Sequence, residues 1–235
     1  IVRLCYVVLE IISGLIIQLI AFRRFKKLRF TKTYDYTLVK GTKDVFATSL
    51  TGVFYRTSPT LFLASFVGTA TTSVYYVYDS IVSLVRSVVQ VFINAPKNAF
   101  GQVIHEEDKD KTRSVFLQYE YVTFFVATIL FSVTFAVIMP FVEIYTTDVS
   151  GADYLVQYVP TMLVLIAFFE TIHMPSGLAI QLSGRFKIAK YIQYSALIVL
   201  VVLLIILGIL FGLFGILIAV LSTAVLLTIE EVFCS

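Results

Sequence analysis

The stretch RRFKKLR at residues 23–29 directly follows an apolar run that covers residues 1–22. A membrane-spanning helix needs about 20 mostly apolar residues, and this run is long enough. The basic stretch belongs to a loop at residues 23–44, and further basic loops lie at residues 97–113 and 184–190. Together the three loops hold 15 of the 18 Lys and Arg residues and occupy every second gap between apolar runs. This alternation predicts a multi-pass membrane protein whose basic loops are cytoplasmic.

The composition favours the same class. Hydrophobic residues make up 59% of the chain and charged residues only 14%, whereas soluble domains average about 25% charged residues. The net charge of +3 comes from the basic loops, so it gives no indication of nucleic-acid binding. The two cysteines and two histidines lack the spacing of a metal site or a disulfide framework. Because motifs of hydrolases, phosphate loops and dinucleotide sites are also missing, we expect no enzyme, no metal and no cofactor.

The apolar runs predict an all-α bundle of seven spans. The first covers residues 1–22, and the chain, which begins with Ile, is interpreted as a piece of a longer protein. Six spans follow the basic linker, at residues 45–66, 74–95, 114–145, 154–177, 191–207 and 214–233. The last two are predicted to form a hairpin around Gly208, Gly212 and Gly215. Since many transporters contain two six-helix units, residues 1–22 are taken as the last helix of an N-terminal lobe and residues 45–235 as the C-terminal lobe.

Two arginines occur at membrane depth in consecutive spans. Arg56 lies about eleven residues from the inner end of its span and Arg86 about nine, which puts both roughly 14–17 Å deep. Because guanidinium groups bind phosphate bidentately and stay charged, the pair predicts an anion site in a water-filled cavity. Asp79, also counted among the substrate-site candidates, lies seven residues before Arg86 on the same face. One alternative is therefore ion pairing, of Asp79 with Arg86 or, across the hairpin of the two spans, with Arg56. Another is a lipid-facing side chain that reaches the interface.

Tyrosines accompany these charges. Tyr55 precedes Arg56, and Tyr75, Tyr76 and Tyr78 open the next span. Their hydroxyls and aromatic faces suit a sugar path, with Tyr55 and Tyr78 as the candidates for substrate contact. Tyrosine is also the ordinary residue of membrane interfaces, so both interpretations remain open.

Three further ionisable residues are candidates for ion coupling. Glu170 and His173 are three residues apart and share a helix face, so a carboxylate beside an imidazole suits a coupling proton. The alternative is a polar clamp near the inner interface. Glu10 lies in the middle of the first span. It is interpreted either as a coupling-ion site or as a polar residue in a contact between helices.

Four motifs follow one another in a recognisable order. They are NAPKNAFG at residues 94–101, IMP at 138–140 with IYT at 144–146 and DY at 153–154, PSG at 175–177 with GRFK at 184–187, and FGLFGI at 211–216. In order and spacing this series resembles Wzx-type polysaccharide flippases of the multidrug/oligosaccharidyl-lipid/polysaccharide exporter superfamily. The resemblance covers essentially the whole chain, as helix six and the C-terminal lobe.

The resemblance implies two six-helix lobes around a cationic cavity in the bacterial plasma membrane. It implies translocation of undecaprenyl-pyrophosphate-linked oligosaccharide by alternating access, with Arg56 and Arg86 as pyrophosphate candidates. The implied partners are the lipid-linked glycan, membrane lipids and assembly proteins such as the polysaccharide polymerase. A cation-coupled drug exporter of the same superfamily, with essential acidic residues, is one alternative. A non-transporting membrane scaffold of a glycan-assembly complex is the other.

Overall fold

The computed structural model describes residues 2–24, 42–105, 109–149 and 151–235, and it contains no strand within these ranges. The chain divides into two units, Ile1–Lys40 and Gly41–Ser235. The first unit consists of α1 (Val2–Arg24), whose described apolar stretch, Ile11–Ile20, is shorter than a span. Most of the predicted basic linker, residues 25–41, lies outside the described residues.

The second unit contains seven α-helices within the described ranges, together with a short π-helical segment, Leu63–Val67, that continues the first of them. The α-helices are α2 (Thr42–Phe62), α3 (Thr69–Asn94), α4 (Lys97–His105), α5 (Lys109–Tyr145), α6 (Tyr158–Ile172), α7 (Met174–Leu182) and α8 (Phe186–Cys234). Helix α2 packs on α8, while α6 packs on α3, α5 and α8. The buried apolar side chains of these helices form one core, which includes Val82, Phe131, Leu163, Leu200 and Ile216.

Helix α8 is a hairpin with a turn at Gly212. This glycine has φ 59° and ψ −132°, a conformation that L side chains rarely adopt, and it divides α8 into arm α8a (186–211) and arm α8b (213–234). A Cβ atom at Gly215 would overlap the Leu207 carbonyl, so the two arms approach closely beside the turn. Farther along the arms, the Ser195 hydroxyl donates to Glu230 Oε2 at 2.8 Å. The predicted hairpin is therefore present.

Four helical segments are long and apolar enough to cross a membrane: Thr69–Asn94, Lys109–Tyr145, Tyr158–Leu182 and Phe186–Cys234. Their outward surfaces carry large apolar side chains such as Leu84, Ile144 and Ile209. An exposed apolar surface of this kind suits lipid rather than water. The protein is thus an all-helical bundle of the multi-pass membrane type.

Helix α2 is less apolar than those four segments because it carries hydroxyl side chains. Thr48, Thr51 and Thr57 each donate a hydrogen bond to the backbone carbonyl four residues earlier. Such bonds satisfy a hydroxyl within its own helix, so the helix remains regular despite its polarity.

Several predicted boundaries differ from the structure. The stretch at residues 97–113, predicted as a polar loop, contains α4 and the start of α5. Phe100 and Ile104 lie one turn apart, so a helix places both on the face that lines the cavity between α4 and α5. The span predicted at residues 154–177 is interrupted at His173 and continues as α7. Pro175 stands in the first turn of α7, where its missing N–H breaks no hydrogen bond.

Candidate functional site

Two polar cavities adjoin each other inside the second unit. We name them the Glu231 cavity, about 360 Å³, and the Asp79 cavity, about 220 Å³. Each name is that of an acidic residue that lines this cavity and not the other. The residues that line both are Tyr55, Arg56, Arg86 and Glu170. Helices α2, α3 and α6 therefore bring two cations, one acid and one phenol to the boundary between the cavities.

Arg86 is held by an acid from another helix. Its Nη2 lies 2.9 Å from Glu170 Oε2, and the two side chains are 20% and 16% exposed. The Arg86 Nε atom is buried and has no hydrogen-bond partner among the described residues. One edge of this guanidinium is thus anchored, while a second donor is unsatisfied. Buried donors are almost always paired in folded proteins, so the Nε atom is the donor of Arg86 that the described residues leave free.

Among the described residues, Arg56 lacks an ion pair, and Tyr55 lacks a hydrogen bond for its hydroxyl. Arg56 is exposed and forms no ion pair with any described residue. Tyr55 is only 9% exposed. Its hydroxyl lies close enough to Glu170 for an electrostatic interaction with the carboxylate. It makes no hydrogen bond of acceptable geometry within the described ranges. Both groups face the cavities with donors available.

The predicted ion pair between Asp79 and Arg86 does not form. Asp79 lines the Asp79 cavity beside Tyr75, but the carboxylate bound to Arg86 is Glu170. Helix α6 brings Glu170 to Arg86 from the opposite side. The alternative of an Asp79 partner is therefore wrong for Arg86, whose carboxylate partner comes from another helix.

The predicted pair of Glu170 and His173 is also replaced by bonds to other helices. His173 Nδ1 lies 2.7 Å from Glu231 Oε2, and both side chains are nearly buried. His173 stands at the break between α6 and α7, while Glu231 is on α8b. A Cβ atom at Gly177 would overlap the Glu231 carboxylate, so this glycine provides the space in which the pair forms.

Glu231 is the residue that sequence analysis did not select. The available signal was the acid pair at residues 230 and 231, close to the end of a very apolar run. The neighbouring Glu230 accepts a hydrogen bond from Ser195 within the hairpin. Sequence spacing alone did not indicate which of the two acids faces a cavity.

The three tyrosines of α3 lie in three environments. Tyr75 lines the Asp79 cavity, and Tyr76 is exposed on the outer surface. Tyr78, predicted as a substrate contact, is fully buried in the core. Its hydroxyl donates to the Tyr154 carbonyl at 2.7 Å and lies 3.3 Å from Met139 Sδ. Tyr78 lines neither cavity, because its helix face packs against α5 and the segment before α6.

The charges of the two cavities are only partly compensated. Arg86 is paired with Glu170 and His173 with Glu231, whereas Arg56, Lys97 and Asp79 have no ion pair among the described residues. The amides of Asn94, Gln181 and Gln193 line the Glu231 cavity as well. The described residues include no group of three or more side chains placed to hold a metal ion. Three basic side chains (Arg56, Arg86 and Lys97) and three acidic ones (Asp79, Glu170 and Glu231) thus line the two cavities. The hydrogen-bond donors that the described residues leave free include the guanidinium of Arg56, the Nε atom of Arg86 and the amides.

Glu10, the remaining candidate, belongs to α1 in the first unit, and its side chain lies outside the described residues.

Comparison of the chain with protein families, curated proteins and solved structures gave no match.

Proposed function

We propose that the chain is the C-terminal lobe, preceded by one helix, of a lipid-linked oligosaccharide flippase in a bacterial plasma membrane. The substrate is undecaprenyl-pyrophosphate-linked glycan, which passes to the outer leaflet by alternating access of two lobes. The observation that carries this proposal is that Arg56 and Arg86, from consecutive helices, line the same two polar cavities. The order of the sequence motifs supports the same substrate class.

The two arginines suit different parts of a pyrophosphate. Arg86 is fixed by Glu170, so its orientation is set before the substrate arrives, and its open Nε is a donor for one phosphate oxygen. Arg56 is exposed and free to move toward a second phosphate. Guanidinium groups remain charged at any physiological pH and bind phosphate through two parallel hydrogen bonds. The buried Tyr55 hydroxyl adds a neutral donor between them.

The glycan would occupy the Glu231 cavity. Amide side chains such as Asn94, Gln181 and Gln193 line it, and amides both donate to and accept from sugar hydroxyls. Discontinuous helices surround the binding sites of many transporters, because the interruption frees backbone groups and permits movement. The break at His173 gives the lobe such a point beside the cavity.

The proposed topology has seven spans, with α1 and α2 as the first two. Its cytoplasmic side contains the basic segments at residues 23–44, 97–113 and 184–190. Support comes from the 2.6 Å ion pair between Lys190 Nζ and Asp44 Oδ1, because the pair joins the beginnings of α2 and α8 at one end of the bundle. Cysteine accessibility from each side of the membrane tests this orientation.

Glycan export in cells tests the function. The intact protein would carry Arg56→Ala, Arg56→Lys, Arg86→Ala or Arg86→Lys, with membrane levels measured for each. We expect alanine to abolish export and lysine to restore part of it, because an ammonium group keeps the charge but not the bidentate geometry. Lys187→Ala is the control, since Lys187 is an exposed basic residue that lines neither cavity. Normal export by all four variants would contradict the proposal.

A cation-coupled drug exporter of the same superfamily is the second candidate. Its supporting observation is that Asp79, Glu170 and Glu231 line the same cavities. It predicts that Asp79→Asn and Glu231→Gln remove transport of organic cations while Arg56→Ala has no effect. The two candidates therefore differ in which sign of charge is essential.

A further inference from the structure

A third cavity, of about 680 Å³, lies apart from the two polar cavities. It is formed by α4, the first turns of α5, the end of α7 and the turn before α8. Its apolar floor includes Phe100, Ile104 and Phe116. Phe100 is only 1% exposed and stacks on Phe116 with the ring centroids 5.8 Å apart. The floor is therefore fixed by packing against the core.

Basic side chains line the same cavity. Lys109 and Arg113 come from the start of α5, and Arg185 comes from the turn before α8. All three are exposed, and none forms an ion pair with a described residue. No Asp or Glu is among the described residues that line this cavity. Within the described part of the chain, three cations thus surround an apolar floor that no Asp or Glu lines.

The position of the cavity matches the edge of a membrane. Its basic residues belong to the segments at 97–113 and 184–190, which flank helices long and apolar enough to span a bilayer. Basic residues beside spans are retained on the cytoplasmic side, where the leaflet carries anionic lipids. The floor is then level with the upper acyl chains, and the cations are level with the phosphates.

We propose that this cavity binds one anionic phospholipid of the inner leaflet. The phosphate contacts Lys109, Arg113 and Arg185, and an acyl chain covers Ile104 and Phe116, the partly exposed residues of the floor. A soluble phosphate would neutralise the cations but leave this partly exposed apolar surface in water, which is unfavourable in proportion to its area. A lipid satisfies both parts of the cavity. This site is independent of the proposed transport function, because no residue is shared with the polar cavities.

Native mass spectrometry of the intact protein in detergent tests the proposal. Phosphatidylglycerol is the anionic probe, phosphatidylcholine the neutral reference, and glycerol 3-phosphate the headgroup without chains. We expect phosphatidylglycerol to be retained in preference to phosphatidylcholine. Arg113→Gln and Arg185→Gln should each weaken retention about fivefold, the usual contribution of one basic residue at a lipid surface. Lys187→Gln is the control, because Lys187 is equally exposed two residues from Arg185 but does not line the cavity.

Three results would overturn the proposal. Equal retention of the two lipids would remove the role of the headgroup charge. Equal weakening by Lys187→Gln and Arg185→Gln would show a diffuse electrostatic attraction without a site. Binding of glycerol 3-phosphate as tight as that of the whole lipid would identify a soluble anion site. Since retention is measured without transport, a failure here leaves the flippase proposal untouched, and the reverse holds as well.

Discussion

The two polar cavities and the third cavity, which lies beside α4 and the start of α5, all contain basic side chains. They differ in whether those side chains have acidic partners. In the interior, Arg86 is bound to Glu170 and His173 to Glu231. At the edge, Arg113 and Arg185 have no acidic partner among the described residues. An interior cation without a partner or water is costly, whereas a cation at the headgroup level is solvated by water and phosphate.

The difference shows which charges are available for a ligand. The interior pairs hold helices together, and only the groups left over, such as Arg56 and the Arg86 Nε, can recognise a substrate. At the edge, Lys109, Arg113 and Arg185 have no ion pair with a described residue and are available. A binding site in this protein is therefore better located by the unsatisfied donors than by the number of charges.

Arg86→Ala gives the largest expected effect. It leaves Glu170 as a charge without a partner between α3 and α6, and removal of one member of a buried pair costs about 3–5 kcal/mol. Thermal unfolding of the purified protein should therefore move to a markedly lower temperature. The double variant with Glu170→Ala should recover much of this loss, because neither charge then remains unpaired. It should still fail to export glycan, since the guanidinium is absent.

The double variant separates the structural role of the pair from the binding role. Recovery of both stability and export would mean that Arg86 serves only to neutralise Glu170. A double variant as unstable as Arg86→Ala alone would mean that the pair does not act as a unit.

Gly177→Ala tests the second interior pair without changing any charge. The new methyl group would occupy the position of the Glu231 carboxylate, so Glu231 must move away from His173. The carboxylate is the end of a flexible side chain, so the cost is the lost bond to His173, about 1.5–3 kcal/mol for a hydrogen bond to a charged group, against about 1 kcal/mol gained because alanine is favoured over glycine in a helix. We expect lower thermal stability and reduced export.

Gly52→Ala is the matched control for that variant. Gly52 lines the same cavity, and a Cβ atom there would meet no atom within 4 Å. It should leave stability unchanged or slightly raised. Equal losses in the two variants would mean that the cavity responds to volume in general and not to the position of Glu231.

The sequence was sufficient to predict what depends on local patterns. Apolar runs predicted the helices, and the glycines around Gly212 predicted the hairpin turn of α8. Arg56 and Arg86 were predicted to face one cavity because their distances from the ends of consecutive helices match. Each of these predictions uses only spacing along one or two helices.

The partners of the charges were not predictable in this way. Asp79 was the alternative partner for Arg86, and Glu170 was placed beside His173, because each lies on the same helix as its expected partner. The observed partners, Glu170 and Glu231, come from helices that are distant in sequence. Which helix crosses opposite Arg86 depends on the packing of the whole bundle, and the spacing of residues along α3 contains no information about it.

Tyr78 and Tyr55 allow a comparison of a hydroxyl that has a hydrogen-bond acceptor with one that has none among the described residues. Tyr78→Phe removes a hydroxyl that donates to the Tyr154 carbonyl, and the loss of one such bond costs about 1 kcal/mol. We expect a small fall in unfolding temperature and normal export. Tyr55→Phe removes a buried hydroxyl without a partner, so stability should stay equal or rise while export falls. The reverse pattern would place the substrate contact at Tyr78.

The smallest effect is expected at the ion pair between Lys190 and Asp44. The ammonium and carboxylate are 2.6 Å apart, and the two side chains are 21% and 18% exposed, much like those of Arg86 and Glu170. The difference between the pairs is position, because Lys190 and Asp44 lie at the end of the bundle, where the proposed topology places water and salt. Lys190→Gln should leave the unfolding temperature nearly unchanged at physiological salt, with any difference disappearing as salt increases. The Arg86 variants should keep their effect at high salt, because that pair lies between α3 and α6, away from the bulk salt solution. A large, salt-independent loss in Lys190→Gln would mean that the beginnings of α2 and α8 are shielded from water, and this end of the bundle would then resemble the interior.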